Sequence, residues 1–214
     1  MLILLPPSEK KKAATSQEKF DLSSLVFAAE LSGARSQTTA SHDSSKTSPA
    51  IEIYDGVLFQ GLNWKTLTPA EQKRANTKVL VVSALFGLVR PLDKIFSYKE
   101  KIDNKLWREA VAQVSAKFSN ELVIDCRSST YKGVWAINPQ NTVEVRVFKV
   151  NGAERNVITH MSKKYRGELT GRLLKQATDP TSPAEVQRIA AQLFECELHA
   201  PTDGQPWALD LLIS

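Results

Sequence analysis

The sequence predicts a mixed α/β fold: a single domain with a central mixed sheet, a β-hairpin and flanking helices. Three observations predict it. Short apolar runs at residues 2–5, 79–83 and 121–126 each stop at a polar group, as buried strands feeding loops do. Amphipathic or well-capped helical stretches alternate with these runs. Residues 142–150 alternate apolar with polar side chains and lead into Asn151-Gly152, a tight-hairpin dipeptide. At 214 residues the length suits one domain, taken as 1–214.

In chain order, residues 2–5 read as the first core strand, closed by Pro6-Pro7, with Ser8 to Lys12 as a basic exit loop. Asp21 caps a helix expected over 22–31. Residues 32–48 are rich in Ser, Thr and Ala and are expected as a mobile surface loop. Apolar side chains over 51–62 can pack, but Gly56 and Gly61 break any long element there. Thr68-Pro69-Ala70-Glu71 is a helix start with its cap, its N1 proline and its acidic third position.

The strand 79–83 follows. Residues 103–117 form an amphipathic helix with Leu106, Trp107, Ala110, Val111 and Val114 on one side. A strand ending at Cys126 opens onto Arg127-Ser128-Ser129-Thr130-Tyr131. After the hairpin, with its return strand over 155–160, helices are expected over 163–177 and 183–194, then a last strand over 207–213. There is no internal repeat or heptad series, and the sequence specifies no oligomeric state.

Composition excludes several classes. No apolar run approaches the ~20 residues that cross a bilayer, so no membrane association is expected. The first apolar run is too short for a signal peptide, and its charges follow it. These features point to the cytoplasm. Cys126 and Cys196 lack CxxC spacing, and His42, His160 and His199 are scattered, so neither a metal site nor a cofactor is expected. No P-loop, GxGxxG or GxSxG motif is present.

The net charge of +5 is unevenly spread. Between Arg146 and Lys175 stand eight basic residues against two acids, so that stretch carries +6 and the remainder about −1. Such a concentration marks either a phosphate-bearing partner or a solvated lysine face. On the helix expected over 163–177, Lys164, Glu168, Arg172 and Lys175 share an exposed face. Arg166 lies at the apolar border with Lys163, where it either pairs with an acid or meets an anionic ligand. Candidate phosphate or DNA contacts are therefore Lys10, Arg90, Arg127, Ser128, Lys163, Lys164, Arg166 and Arg172. Asp55 and Asp93 are the candidate general bases. For Asp93 an ion pair or turn cap beside Pro91 is the competing reading, and Asp55 is a possible partner of Arg90.

Several separated motifs resemble those of the YaaA family. They are Leu4-Leu5-Pro6-Pro7-Ser8-Glu9-Lys10, Tyr54-Asp55-Gly56 with Gly61-Leu62, and Ser83 through Gly87 to Arg90-Pro91-Leu92-Asp93. Arg127 to Tyr131 and Lys163-Lys164-Tyr165-Arg166-Gly167 complete the series, in the family's order over nearly the whole chain. Beside the longer enterobacterial members this sequence is a divergent, shorter branch. The resemblance implies a YaaA-like α/β fold in a cytoplasmic peroxide-stress protein that binds DNA, shape-selectively, through a basic cleft. The alternative is an enzyme acting on a nucleotide, nucleobase or other phosphorylated small molecule in the same cleft. Ser8, Tyr54, Gly56, Gly61, Ser83, Gly87, Pro91, Tyr131 and Gly167 would shape the site.

Overall fold

The computed structural model describes residues 1–40, 46–152, 154–158 and 161–214. The chain begins with β1 (Leu2–Leu5), a 3-10 turn at Leu22–Ser24, α1 (Ala28–Thr39), β2 (Ser48–Pro49), α2 (Ala50–Ile53) and α3 (Val57–Leu62). A second 3-10 turn (Trp64–Thr66) precedes α4 (Pro69–Lys78), β3 (Val79–Ser83), β4 (Gly87–Val89), β5 (Lys94–Ile95) and α5 (Asn104–Ala116). Then come β6 (Val123–Asp125), α6 (Ser129–Lys132), β7 (Thr142–Asn151), β8 (Glu154–Val157), α7 (Ser162–Leu174), α8 (Pro183–Ala190), β9 (Glu195–His199) and β10 (Trp207–Ile213).

One mixed sheet runs in the order β4-β3-β1-β6-β7-β10-β9, with β8 added to β7. Its centre, β3 through β10, is parallel, while β4, β8 and β9 pair antiparallel. All residues of β1 and β3 are buried, because helices cover both faces. Ile3, Leu5, Val79 and Val81 meet side chains of α3, α7 and α8. Leu2, Leu4, Leu80 and Val82 meet Leu31 of α1 and Trp107, Val111 and Val114 of α5. The period-2 alternation of each strand thus feeds two helical layers.

Local signals set the helix starts. Thr68 and Glu71 form a reciprocal capping box at α4. Asp103 accepts from the N–H groups of Lys105 and Leu106 at the head of α5.

Four expectations change. Asp21 caps only the 3-10 turn, and the helix restarts at Ala28 because Phe27 takes a left-handed conformation, φ 56°. Residues 32–39 belong to α1 rather than to a loop, since Leu31, Ala34 and Arg35 are buried against the sheet. Residues 41–45, with His42, lie outside the described residues, as does His160. Of the two glycines expected to interrupt 51–62, Gly56 separates α2 from α3, but Gly61 lies inside α3. An additional strand, β9, borders β10. Among the described residues no helix is long and apolar enough to cross a membrane.

Candidate site at the carboxyl ends of the central strands

Strand order locates the site. From β1 the chain goes to β3 on one side, then crosses to β6 on the other. Such a switch of direction opens a crevice outside the carboxyl ends of the strands, where open α/β sheets hold ligands. The loops leaving β1 and β6 line it.

Ser8, on the loop after β1, is only 6% exposed. Its Oγ is enclosed and has no hydrogen-bond partner. The loop is held by pairing with the segment between α2 and α3: Lys12 donates to the Ile53 carbonyl, and the Asp55 N–H to that of Lys10. This brings Ser8 against Gly56, where a Cβ would stand 2.4 Å from the hydroxyl. The Pro-Pro-Ser and Tyr-Asp-Gly motifs, nearly fifty positions apart in sequence, therefore meet at one contact.

Ser8 lies on a wall shared by two recesses. One, about 340 Å³, is lined by Pro6, Pro7, Lys10, Phe59 and Lys163, with the acids Glu9 and Asp55. The second, about 610 Å³, is bordered by Lys11, Tyr98, Lys99, Lys101 and Tyr131. A third, about 440 Å³, joins Arg127, Ser128 and Lys132 to Lys163 and Arg166 at the start of α7. Lys163 touches the first and third. Another recess, about 650 Å³, lies on the Lys12 and Trp64 side of α3.

Beneath the second recess runs a buried hydroxyl chain. Ser83 Oγ lies 2.7 Å from the Tyr98 hydroxyl, itself 3.0 Å from that of Tyr54. Burial pushes both phenols above their ordinary pKa, so they stay protonated and serve as hydrogen-bonding groups. Lys11 Nζ sits 4.1 Å from the centre of the Tyr98 ring. Partial burial lowers the Lys11 pKa below 10.5, opposed by Glu100 and Glu9.

The arginines divide by environment. Arg127 is 1% exposed and grips Asp125 in a two-pronged pair at 2.9 and 2.8 Å. Its remaining nitrogen donates to the carbonyls of Tyr131 and Lys132. Arg166 donates to the Val145 carbonyl and, at 3.5 Å, to that of Arg127. Both are committed to holding β6, α6 and α7 together. Lys10, Lys11 and Lys163 bring ammonium groups to the recesses, Lys10 beside Asp55 and Lys163 beside Glu9, while Lys132 pairs with Glu144.

Arg90 does not join Arg127 and Lys163. Its guanidinium donates to the Asn76 carbonyl, and its N–H to Asp93, which also accepts from Val26. Asp93 is thus a turn acceptor behind Pro91, with its pKa raised by burial against those backbone bonds. Asp55 does not pair with Arg90 either. It lies 2.8 Å from Lys10 and 3.0 Å from Lys12, whose hydrogen bonds hold its carboxyl below the usual range.

Lys164 pairs with Glu168, and Arg172 reaches Gln192. Gly87, at φ 71°, presses on the Trp107 ring. Gly61 and Gly167 bring α3 and α7 into backbone contact.

Lys11, Lys99, Lys101, Lys132 and Tyr98 were not singled out from sequence. The run Lys10-Lys11-Lys12 directly after a strand was the available signal; the others border the site through tertiary packing.

The cysteines are poor nucleophiles. Burial pushes the Cys126 thiol up to about 12, and Cys196 is raised as well. His199, Glu197 and Asp210 do cluster at β9 and β10. Each carboxylate there is already gripped by an arginine, Asp210 by Arg146 and Glu197 by Arg155.

Comparison with known proteins gives a consistent family signal. The family model described as "Peroxide stress protein YaaA" matches residues 21–199. A UPF0246 protein of Streptomyces coelicolor is 36% identical over 180 residues, covering 77% of this chain and 68% of the relative. One from Corynebacterium efficiens is 33% identical over an alignment of 232 residues, covering 89% and 91%. A Shewanella relative is 26% identical over 182 residues, covering 77% and 71%.

Proposed function

The chain belongs to the YaaA peroxide stress family, and from that premise we propose that it binds DNA through a basic cleft at the carboxyl ends of β1 and β6. Acting in the cytoplasm, it would read duplex shape rather than base sequence and limit oxidative damage when peroxide rises. The observation that supports the reading is the placement of Lys10 and Lys11 from the loop after β1, Lys132 from α6 and Lys163 from α7 along three recesses that share lining residues. Flexible lysines suit phosphate contacts that set position without reading bases. Arg127 and Arg166 belong to this reading as the frame of the crevice, since Arg127 is held by Asp125 and two carbonyls and Arg166 by the carbonyls of Val145 and Arg127.

The test is affinity for duplex, junction and single-stranded DNA as a function of salt. Each phosphate neutralised steepens the log–log slope by about 0.9 on duplex DNA. Lys10→Ala and Lys163→Ala are each expected to flatten it by about one. Absent or salt-insensitive binding would overturn the proposal.

The second reading is an enzyme acting on a nucleotide or other phosphorylated small molecule. The recess beside Ser8 favours it, because its volume of about 340 Å³ falls within the range of small-molecule sites. Asp55 is the carboxylate at its rim. Turnover of a nucleotide by wild-type protein and its loss in Asp55→Asn at unchanged melting temperature would establish this reading.

A further inference from the structure

The Ser8 hydroxyl is costly where it stands. Its Oγ is shielded from water and meets no acceptor or donor, so its desolvation is uncompensated. Space around it is preserved by the missing side chain at Gly56, since any Cβ there would collide with it at 2.4 Å. A buried polar atom without a partner, on the wall of a recess, calls for an external one.

The surroundings specify its chemistry. Lys10 and Lys163 line the same 340 Å³ recess, a volume within the range of small-molecule sites. Their acidic partners are loosely held: Lys163 Nζ is 3.6 Å from Glu9, whose side chain is 94% exposed. The Lys10–Asp55 pair is tighter at 2.8 Å, but its lysine is 71% exposed. Exposed pairs of this kind exchange for a phosphate at little cost. Pro6, Pro7 and Phe59 supply apolar lining to the same recess, and Phe59 is fixed by stacking on Tyr54 at 5.1 Å. A hydroxyl donor and two ammonium groups beside apolar lining suit a phosphate joined to a flat, weakly polar body.

The geometry points to a subsite for a single nucleoside monophosphate unit, the phosphate on Ser8, Lys10 and Lys163 and the base against Pro6, Pro7 and Phe59. Resting on the reading of the cleft as phosphate-binding, this makes DNA ends, rather than uninterrupted duplex, the preferred nucleic-acid ligand. A free mononucleotide carries the same chemistry and is the other source of it.

Ser8→Ala is the informative variant, because deleting an unpartnered hydroxyl leaves the fold at least as stable. Wild type and Ser8→Ala would be titrated with a hairpin duplex bearing a 5′-phosphate or a 5′-hydroxyl, and with dAMP or deoxyadenosine, alongside thermal melting. The expected result is at least tenfold tighter binding of the 5′-phosphate end and binding of dAMP but not deoxyadenosine. Ser8→Ala would lose both preferences with an unchanged or raised melting temperature, while keeping salt-dependent duplex binding. Binding of dAMP with no DNA form bound would support the subsite with a free nucleotide as its ligand, and would remove the DNA reading instead. Equal affinity for both ends together with no dAMP binding would overturn the subsite and leave the DNA reading intact. Loss of the preferences in a Ser8→Ala protein that melts lower would equally overturn it, since the hydroxyl would then be structural.

Discussion

Arg35 carries a charge that is fully buried and held by carbonyls. Its Nε donates to Phe86, and one Nη donates to Val26 and Leu88 at 2.7 Å each. Burial lowers its pKa only to about 10, so it remains a cation at neutral pH. Arg35→Met keeps most of the volume but leaves three carbonyls unpaired, and should cost on the order of 3 kcal/mol in urea unfolding. A loss below about 1 kcal/mol would mean those carbonyls find other partners.

Lys11 makes a prediction about pH. Its folded pKa lies below 10.5 because of burial. A phosphate contact needs the charged form, so this contact is present below the lowered pKa and lost as pH rises through it. DNA affinity should therefore begin to fall before the exposed lysines titrate, and Lys11→Arg should remove that early fall. An identical pH profile in the two proteins would exclude Lys11 as a contact. Such residues were only partly legible: Ser8 and Asp55 stood out in the sequence, but the Asp55 partners, Lys10 and Lys12, come from the loop pairing that only the fold creates.

At the scale of elements, the crossing of α3 and α7 is set by missing side chains. A Cβ at Gly167 would lie 1.9 Å from the Leu58 carbonyl oxygen, and one at Gly61 2.4 Å from that of Lys164. Gly167→Ala should push the helices apart and cost about 1–3 kcal/mol, the usual range for overpacking. Chemical denaturation measures this, and an unchanged midpoint would show that the crossing yields freely.

Strands and caps were legible because apolar runs and capping side chains are local signals. The body of α1 was not. Only Leu31, Ala34 and Arg35 of that segment face the sheet, and one of these is an arginine, so composition read as loop. Strand β9 escaped for a similar reason, its charged side chains marking a partly exposed edge that only the β10 ladder defines.

For the whole molecule, charge counted along the chain and charge gathered in space differ. The +6 stretch from Arg146 to Lys175 disperses: Arg146 and Arg155 are spent on Asp210 and Glu197 at the β8–β9 side of the sheet. The crevice instead collects lysines from the loop after β1, from α6 and from α7. Arg155→Ala should accordingly change DNA affinity by less than about twofold, in contrast to Lys163→Ala, when both are measured at one salt concentration. Equal losses would mean that the long-range field, rather than the crevice, governs binding.

The central place of β1 also dictates a timetable of synthesis. Leu2–Leu5 is synthesised well before its neighbours, Val79–Ser83 and Val123–Asp125. At roughly 5–20 residues per second, this apolar segment waits on the order of 6–25 seconds for its second neighbour. During that interval its edges are unpaired and open to other chains or to chaperones. A circular permutant in which β6 is made before β1 would shorten the wait, and should yield more soluble protein at the same final stability.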